Sequence, residues 1–160
     1  MGFDLYGQNP TEEETKKDRG KGAYFRNNVW WWRPLWDYVC DVCDDIITEE
    51  DHKRGCYNDG WLIDDTKAKR IATQLNILIN NGSVKKYEED YKKELNELPL
   101  VECPTCNGKG VRDDEIVKGN CNGCGGIGKK DDWALSYPFE SDNVQEFADF
   151  CENSGGFEIC

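Results

Sequence analysis

Two near-copies of one eight-residue phrase constrain this chain more than anything else in it. Cys103, Cys106, Gly108 and Gly110 spell C-x-x-C-x-G-x-G, and Cys121, Cys124, Gly126 and Gly128 spell it again. Each C-x-x-C places two thiolates in a tight knuckle, and the glycines behind it let the backbone turn with positive φ while amides point back at sulfur. Two knuckles about 15 residues apart close a tetrahedral four-cysteine site, the usual geometry of structural zinc. Four protein ligands leave no open position, so no water is activated there and the expected role of Zn2+ is structural. An iron–sulfur centre is the other use of the same ligands. A redox dithiol would need a βαβ setting that the sequence lacks.

The rest of the chain must then supply a core around or beside this module. Hydrophobic residues make up only 38% and charged residues 32%, a balance that approaches disorder. Six Trp, seven Tyr and six Phe argue against disorder, because disordered chains are poor in rings. A compact, aromatic-heavy core helped by metal follows. The opening MGFDLYGQNP has no basic segment followed by an apolar one, so no secretory leader is expected. No apolar run reaches the roughly 20 residues that span a bilayer. The expected location is cytoplasmic, where nine cysteines point to metal before disulfides. A net charge of −12 disfavours a nucleic-acid backbone or an anionic membrane as partner. It suits a basic protein partner, or it serves solubility alone.

Along the chain, Phe3 to Tyr6 alternates as a short strand, and the charged residues 11–22 read as a mobile loop. Pro34 suits the first turn of a helix bearing Leu35, Tyr38, Val39 and Val42. Thr48 and Asp51 form an imperfect capping box for a short helix that Gly55 ends. Asp65 or Thr66 caps a longer helix carrying Ala68, Ile71, Leu75 and Leu78. Ser83 starts another with Val84, Tyr87, Tyr91, Leu95 and Leu98. Only Asn81-Gly82 separates these two, which predicts a helical hairpin. Residues 131–139 read as extended and irregular, Ser141 caps a final helix, and Phe157 to Cys160 alternates as a strand that pairs near Phe3. The expected fold is α+β, mostly helical, with short terminal strands. Residues 1–100 and 131–160 form the aromatic-core domain, and residues 101–130 an inserted zinc-binding β-hairpin module.

The repeated phrase resembles the cysteine-rich zinc region of DnaJ-type co-chaperones over about residues 101–130. That family carries four such repeats and a J-domain marked by His-Pro-Asp. This chain has two repeats, and its one histidine, His52, is followed by Lys53. A co-chaperone role therefore does not transfer. The resemblance implies a zinc-held β-hairpin that helps contact other polypeptides; in this chain Val111 to Gly119, between the knuckles, is where a partner would touch it. A wider likeness is carried by MGFDLYG, YFRNNVWWWRPLWDYVC, WALSYPF and NVQEFADFCENSGGFEIC. It resembles small uncharacterised proteins of phages and bacterial genomes, and implies a phage or mobile-element origin with a host factor or defence component as partner.

Three further constellations have competing readings. Cys40, Cys43, His52 and Cys56 spell C-x2-C-x8-H-x3-C, a candidate second zinc site, or else two half-buried thiols near a surface histidine. Trp30, Trp31, Trp32 and Trp36, flanked by Arg26 and Arg33, form either a core or a stacking surface for a nucleotide or protein. Three consecutive Trp cannot all face inward, so at least one is part-exposed. The arginines alternatively pair with Asp37, Asp41 or Asp44. Acidic runs such as Asp113-Asp114-Glu115 read as solvated surface. No nucleophile elbow, P-loop or H-E-x-x-H is present, so the expectation is no enzyme. The preferred reading is a non-enzymatic zinc protein that engages another protein, and the alternative is a small-ligand or nucleotide binder using Trp30 to Trp36.

Overall fold

The computed structural model describes residues 2–12 and 20–160 of the chain. The segment read as a charged loop lies, at residues 13–19, outside the described residues. In chain order the elements are β1 (Gly2–Gly7), β2 (Tyr24–Asn28), α1 (Val29–Val42), α2 (Glu49–Gly55), β3 (Trp61–Ile63), α3 (Asp65–Asn80) and α4 (Ser83–Asn96). They continue with β4 (Val101–Glu102), β5 (Val111–Asp113), β6 (Lys118–Asn120), β7 (Lys129–Lys130), α5 (Ser141–Asn153) and β8 (Phe157–Ile159). The fold is α+β, and all strand pairs are antiparallel.

Two compact units divide the chain: Met1–Lys92 with Tyr137–Cys160, and Lys93–Ser136. The second is wider than the cysteine phrases by a flank on each side.

The first unit is built on a sheet of order β2-β1-β8-β3, so the two chain-terminal strands are its central pair. Leu5 stands opposite Ile159, as the alternation at both ends implied, and reciprocal Asp4–Cys160 backbone bonds extend the ladder. Phe3, Leu5, Phe25, Ile63, Phe157 and Ile159 are buried and share one core with α1, α3 and α5. Burial on one face only is what period-two alternation encodes.

Helix α1 begins five residues before Pro34, which lies inside it rather than in its first turn. The cause is Asn28, whose side-chain oxygen accepts from the backbone amides of Trp30 and Trp31 at 3.0 and 3.2 Å. An Asn cap satisfies two orphan donors and fixes the start. Helical spacing then sends Trp32 and Trp36, four apart, into the core, where their rings stack 5.3 Å apart. Trp30 and Trp31 are left half-buried.

The expected α3–α4 hairpin does not form a packed pair. Helix α3 lies chiefly against α5 instead. Helix α4 turns Tyr87 and Tyr91 onto Phe139, and Tyr38 of α1 joins that aromatic group. Helix α4 also buries Glu88, whose carboxylate accepts from Lys85, Lys92 and both the backbone and hydroxyl of Ser141. The cap of α3 is Asp64, one residue earlier than expected, and α5 has Glu140 at its cap position with Ser141 as its first residue. Residues 133–136 form a single 3-10 turn inside the stretch read as irregular.

Candidate metal centre

The four cysteines of the repeated phrase meet. Their sulfurs all lie within 4.8 Å of one another, with Cys103–Cys121 at 4.0 Å and Cys106–Cys124 at 3.8 Å. A tetrahedron with metal–sulfur bonds of about 2.3 Å has edges of about 3.8 Å, so the thiols already stand at ligand spacing. Cys103, Cys106 and Cys121 are buried and Cys124 half-buried, and they constitute the only buried cluster of this unit among the described residues. No aliphatic core backs them up.

The two phrases are related by more than composition. Gly110 donates its amide to Cys106 Sγ at 3.2 Å, and Gly128, the equivalent residue 18 positions on, donates to Cys124 Sγ at 3.2 Å. Cys103 N bonds Gly128 O, and Cys121 N bonds Gly110 O. The ribbons follow the same rule: β4 pairs with β7 and β6 with β5, each phrase giving one strand to each pair. The knuckles are thus a pseudo-two-fold pair, each closing the other. Gly110 and Gly128, both at positive φ, sit at the crossing. A β-carbon on Gly110 would lie 2.4 Å from Gly126 O, and one on Gly128 would lie 2.3 Å from Gly108 O.

Ionisation is uneven within the cluster. Burial opposes charge on Cys103, but the amides and side chains of Cys106 and Thr105 outweigh it and lower the Cys103 pKa. Burial and the neighbouring thiols push Cys106 up to about 11. Cys103 therefore ionises more readily than Cys106, whose thiolate a bound cation would stabilise. Four soft donors at tetrahedral spacing are a set that could hold a metal ion.

The other predicted set, Cys40, Cys43, His52 and Cys56, is not brought together. Cys43, at the end of α1, is fully buried, and its thiol is pushed up to about 12 by burial and by Asp45, with Arg70 opposing. Burial raises the core thiol Cys151 as well, with Cys43 adding to the rise. Cys40 is buried too, and burial, then Asp37, raises its pKa. Cys40 and Cys43, three apart, share a face of α1, but neither joins the donors of His52 and Cys56. His52 and Cys56 instead meet Asp37, and one donor atom from each lies within 4.8 Å of the others. Asp37 was a candidate partner for the arginines in the sequence, and its approach to His52 comes from the crossing of α1 and α2.

The tryptophan set separates as well. Trp32 and Trp36 are core, and their indole N–H groups donate to Gly55 O and His52 O at 2.8 and 3.1 Å. Trp30 packs edge-on to Tyr137, and Arg33 reaches the Tyr137 hydroxyl at 3.5 Å. Trp31 and Arg26 line an open groove of about 590 Å³ that also holds Glu140, Asp142 and Glu146. Arg26 pairs with Asp4 at 3.4 Å. Three carboxylates against one committed guanidinium repel phosphate, which removes the electrostatic basis for nucleotide binding there.

Comparisons with protein-family models, with curated proteins and with solved structures find no match for this chain. Fold and site define a class: an α+β protein with a cluster of four cysteines that could hold a metal ion. No helix among the described residues is long and apolar enough to cross a membrane.

Proposed function

We propose that this is a non-enzymatic zinc-binding protein whose zinc-held β-hairpin module engages another protein. The observation that carries the reading is the tip between β5 and β6. Asp114 Oδ1 accepts from the amides of Ile116 and Val117 at 2.9 and 2.8 Å, and Arg112 braces the same carboxylate. On this braced turn Ile116 is 87% exposed. The backbone of the turn is held in advance, so presenting Ile116 to a partner costs little further backbone ordering.

The internal symmetry supplies a control. Ile127 is 74% exposed, and its counterpart in the first phrase is Lys109, which is also exposed. The same backbone position accepts a charge, so folding does not require isoleucine there. Zinc is favoured over other ions by four thiolates at tetrahedral spacing. A host factor or defence component as partner, and a phage-type cytoplasmic setting, follow from the resemblance of the sequence.

The test is a tagged pull-down from a matched host with the wild-type chain beside Ile116→Asp and Ile127→Asp. A stoichiometric protein retained by the wild type and lost from both variants, with zinc content unchanged, supports the reading. A clean wild-type preparation, or a companion that both variants retain, overturns it.

A further inference from the structure

We infer a second, solvent-accessible metal site formed by Asp37, His52 and Cys56, separate from the four-cysteine cluster and independent of whether the module binds a protein. The donors come from two helices. Asp37 projects from α1, His52 from the middle of α2, and Cys56 follows α2 one helical turn after His52. A carboxylate oxygen, an imidazole nitrogen and a sulfur stand within 4.8 Å of one another.

The spacing fits a shared ion better than an ion pair. His52 Nε2 and Asp37 Oδ1 are 3.5 Å apart, whereas a charge-assisted N–H···O bond closes to about 2.8 Å. A tetrahedral ion with nitrogen and oxygen bonds of about 2.1 Å needs an edge of about 3.4 Å. The His52 and Asp37 side chains are 48% and 65% exposed, so an ion has a route in. Asp37 and a Cys56 thiolate together balance a divalent charge.

The site is also held in place. Trp36, buried one residue before Asp37, donates to the His52 carbonyl at 3.1 Å, and Trp32 donates to Gly55 O at 2.8 Å. The Thr48–Asp51 capping box fixes the start of α2, with Asp51 further bonded by Trp61 and Lys67. The helix that carries His52 is therefore tied to α1 at His52 and Gly55, and at its start to β3 and α3 through Asp51. Such backing is what a preorganised ligand set needs.

One nitrogen, one sulfur and one oxygen select a borderline divalent ion such as Zn2+ or Co2+ over Mg2+ or Ca2+. Three protein donors leave a fourth position for water or an exchangeable ligand. Cys40, one turn after Asp37, is buried and outside the converging set. The site therefore exchanges its ion faster than the four-thiolate cluster does.

The experiment is metal-to-protein stoichiometry of the full chain after equilibration with Zn2+, repeated with Co2+ to read visible absorption. The wild type should take up one equivalent beyond the four-cysteine site. His52→Ala, Asp37→Ala and Cys56→Ser should each lose that equivalent alone, with unchanged melting of the first unit, and Cys43→Ala should keep it. A wild type that saturates with the four-cysteine equivalent only overturns the assignment. So does retention of the extra equivalent in His52→Ala, or its loss in Cys43→Ala but not in Asp37→Ala.

Discussion

Replacing Gly55 by Ala should destabilise the first unit, although helix propensity alone predicts the opposite. Gly55 is the last residue of α2 and its backbone φ is not positive, so alanine can adopt its conformation. On an exposed helix the exchange would gain about 0.5–1 kcal/mol. Here an added β-carbon would stand 2.3 Å from Trp36 Cε2 and 2.4 Å from Nε1. Carbon contacts relax at about 3.5–4.0 Å, so the overlap exceeds about 1 Å. Trp36 cannot yield cheaply, being 1% exposed, stacked on Trp32 and bonded to His52 O. Overpacking of this kind costs about 1–3 kcal/mol. Pushing α2 outward also strains the Trp32–Gly55 bond, worth about 1 kcal/mol. The net expectation is a loss of about 1–3 kcal/mol. Urea unfolding followed by Trp fluorescence in zinc should show a midpoint about 1 M lower with unchanged slope. In a Trp36→Leu background the same exchange should be neutral or stabilising, since the obstacle is gone. A Gly55→Ala midpoint equal to or above wild type would refute the argument.

Three other outcomes follow from the same geometry. Cys124→Ser should release the four-cysteine metal and abolish protection of the β5–β6 amides while leaving the helical signal of the first unit, as hydrogen exchange and far-UV dichroism would show; full metal retention would contradict the ligand set. Burial raises the Glu88 carboxyl, but hydrogen bonds from Lys92, Ser141 and Lys85 outweigh it and hold its pKa well below the ordinary 4.5. Its contribution is thus complete above about pH 4.5 and fades as pH falls below it. Glu88→Gln should cost roughly 1–2 kcal/mol at pH 7, a figure reduced by the half-exposed lysines, and the gap to wild type should narrow on acidification in pH-stepped urea titrations. Asp114→Ala should leave metal content intact yet weaken capture of any partner by the module, because the Ile116 turn loses its brace; undiminished capture would separate the tip from binding.

The parts of this protein that were legible in its sequence are those encoded by local chemistry. The cysteine phrases specify ligands and glycines at fixed offsets, and their sulfurs meet as that spacing requires. Alternation at Phe3 to Tyr6 and Phe157 to Cys160 was enough to pair the termini. Gly55 is the last residue of α2 as expected, and what the sequence did not show is that the Trp36 indole leaves no room for a β-carbon there. Local rules failed where tertiary contacts decide. Nothing near Asp37 marks it as a neighbour of His52, because their meeting depends on the angle at which α1 crosses α2. The adjacency of α3 and α4 in sequence suggested a packed pair, yet α3 finds its apolar partner in α5, which lies beyond the whole module in the chain. The Trp run was ambiguous until the Asn28 cap fixed which rings turn inward.

Val101 stands directly across from Lys130, so the polypeptide enters and leaves the cysteine phrases through neighbouring strands. To the remainder of the chain, the thirty residues from Val101 to Lys130 are topologically equivalent to a tight turn. Their length is almost free, since lengthening a closed loop costs only about 0.6 kcal/mol per doubling. The stretch is in this sense a cassette. In connectivity it is a closed loop, so its length and the sequence of its tip can vary at small entropic cost to the chain that carries it.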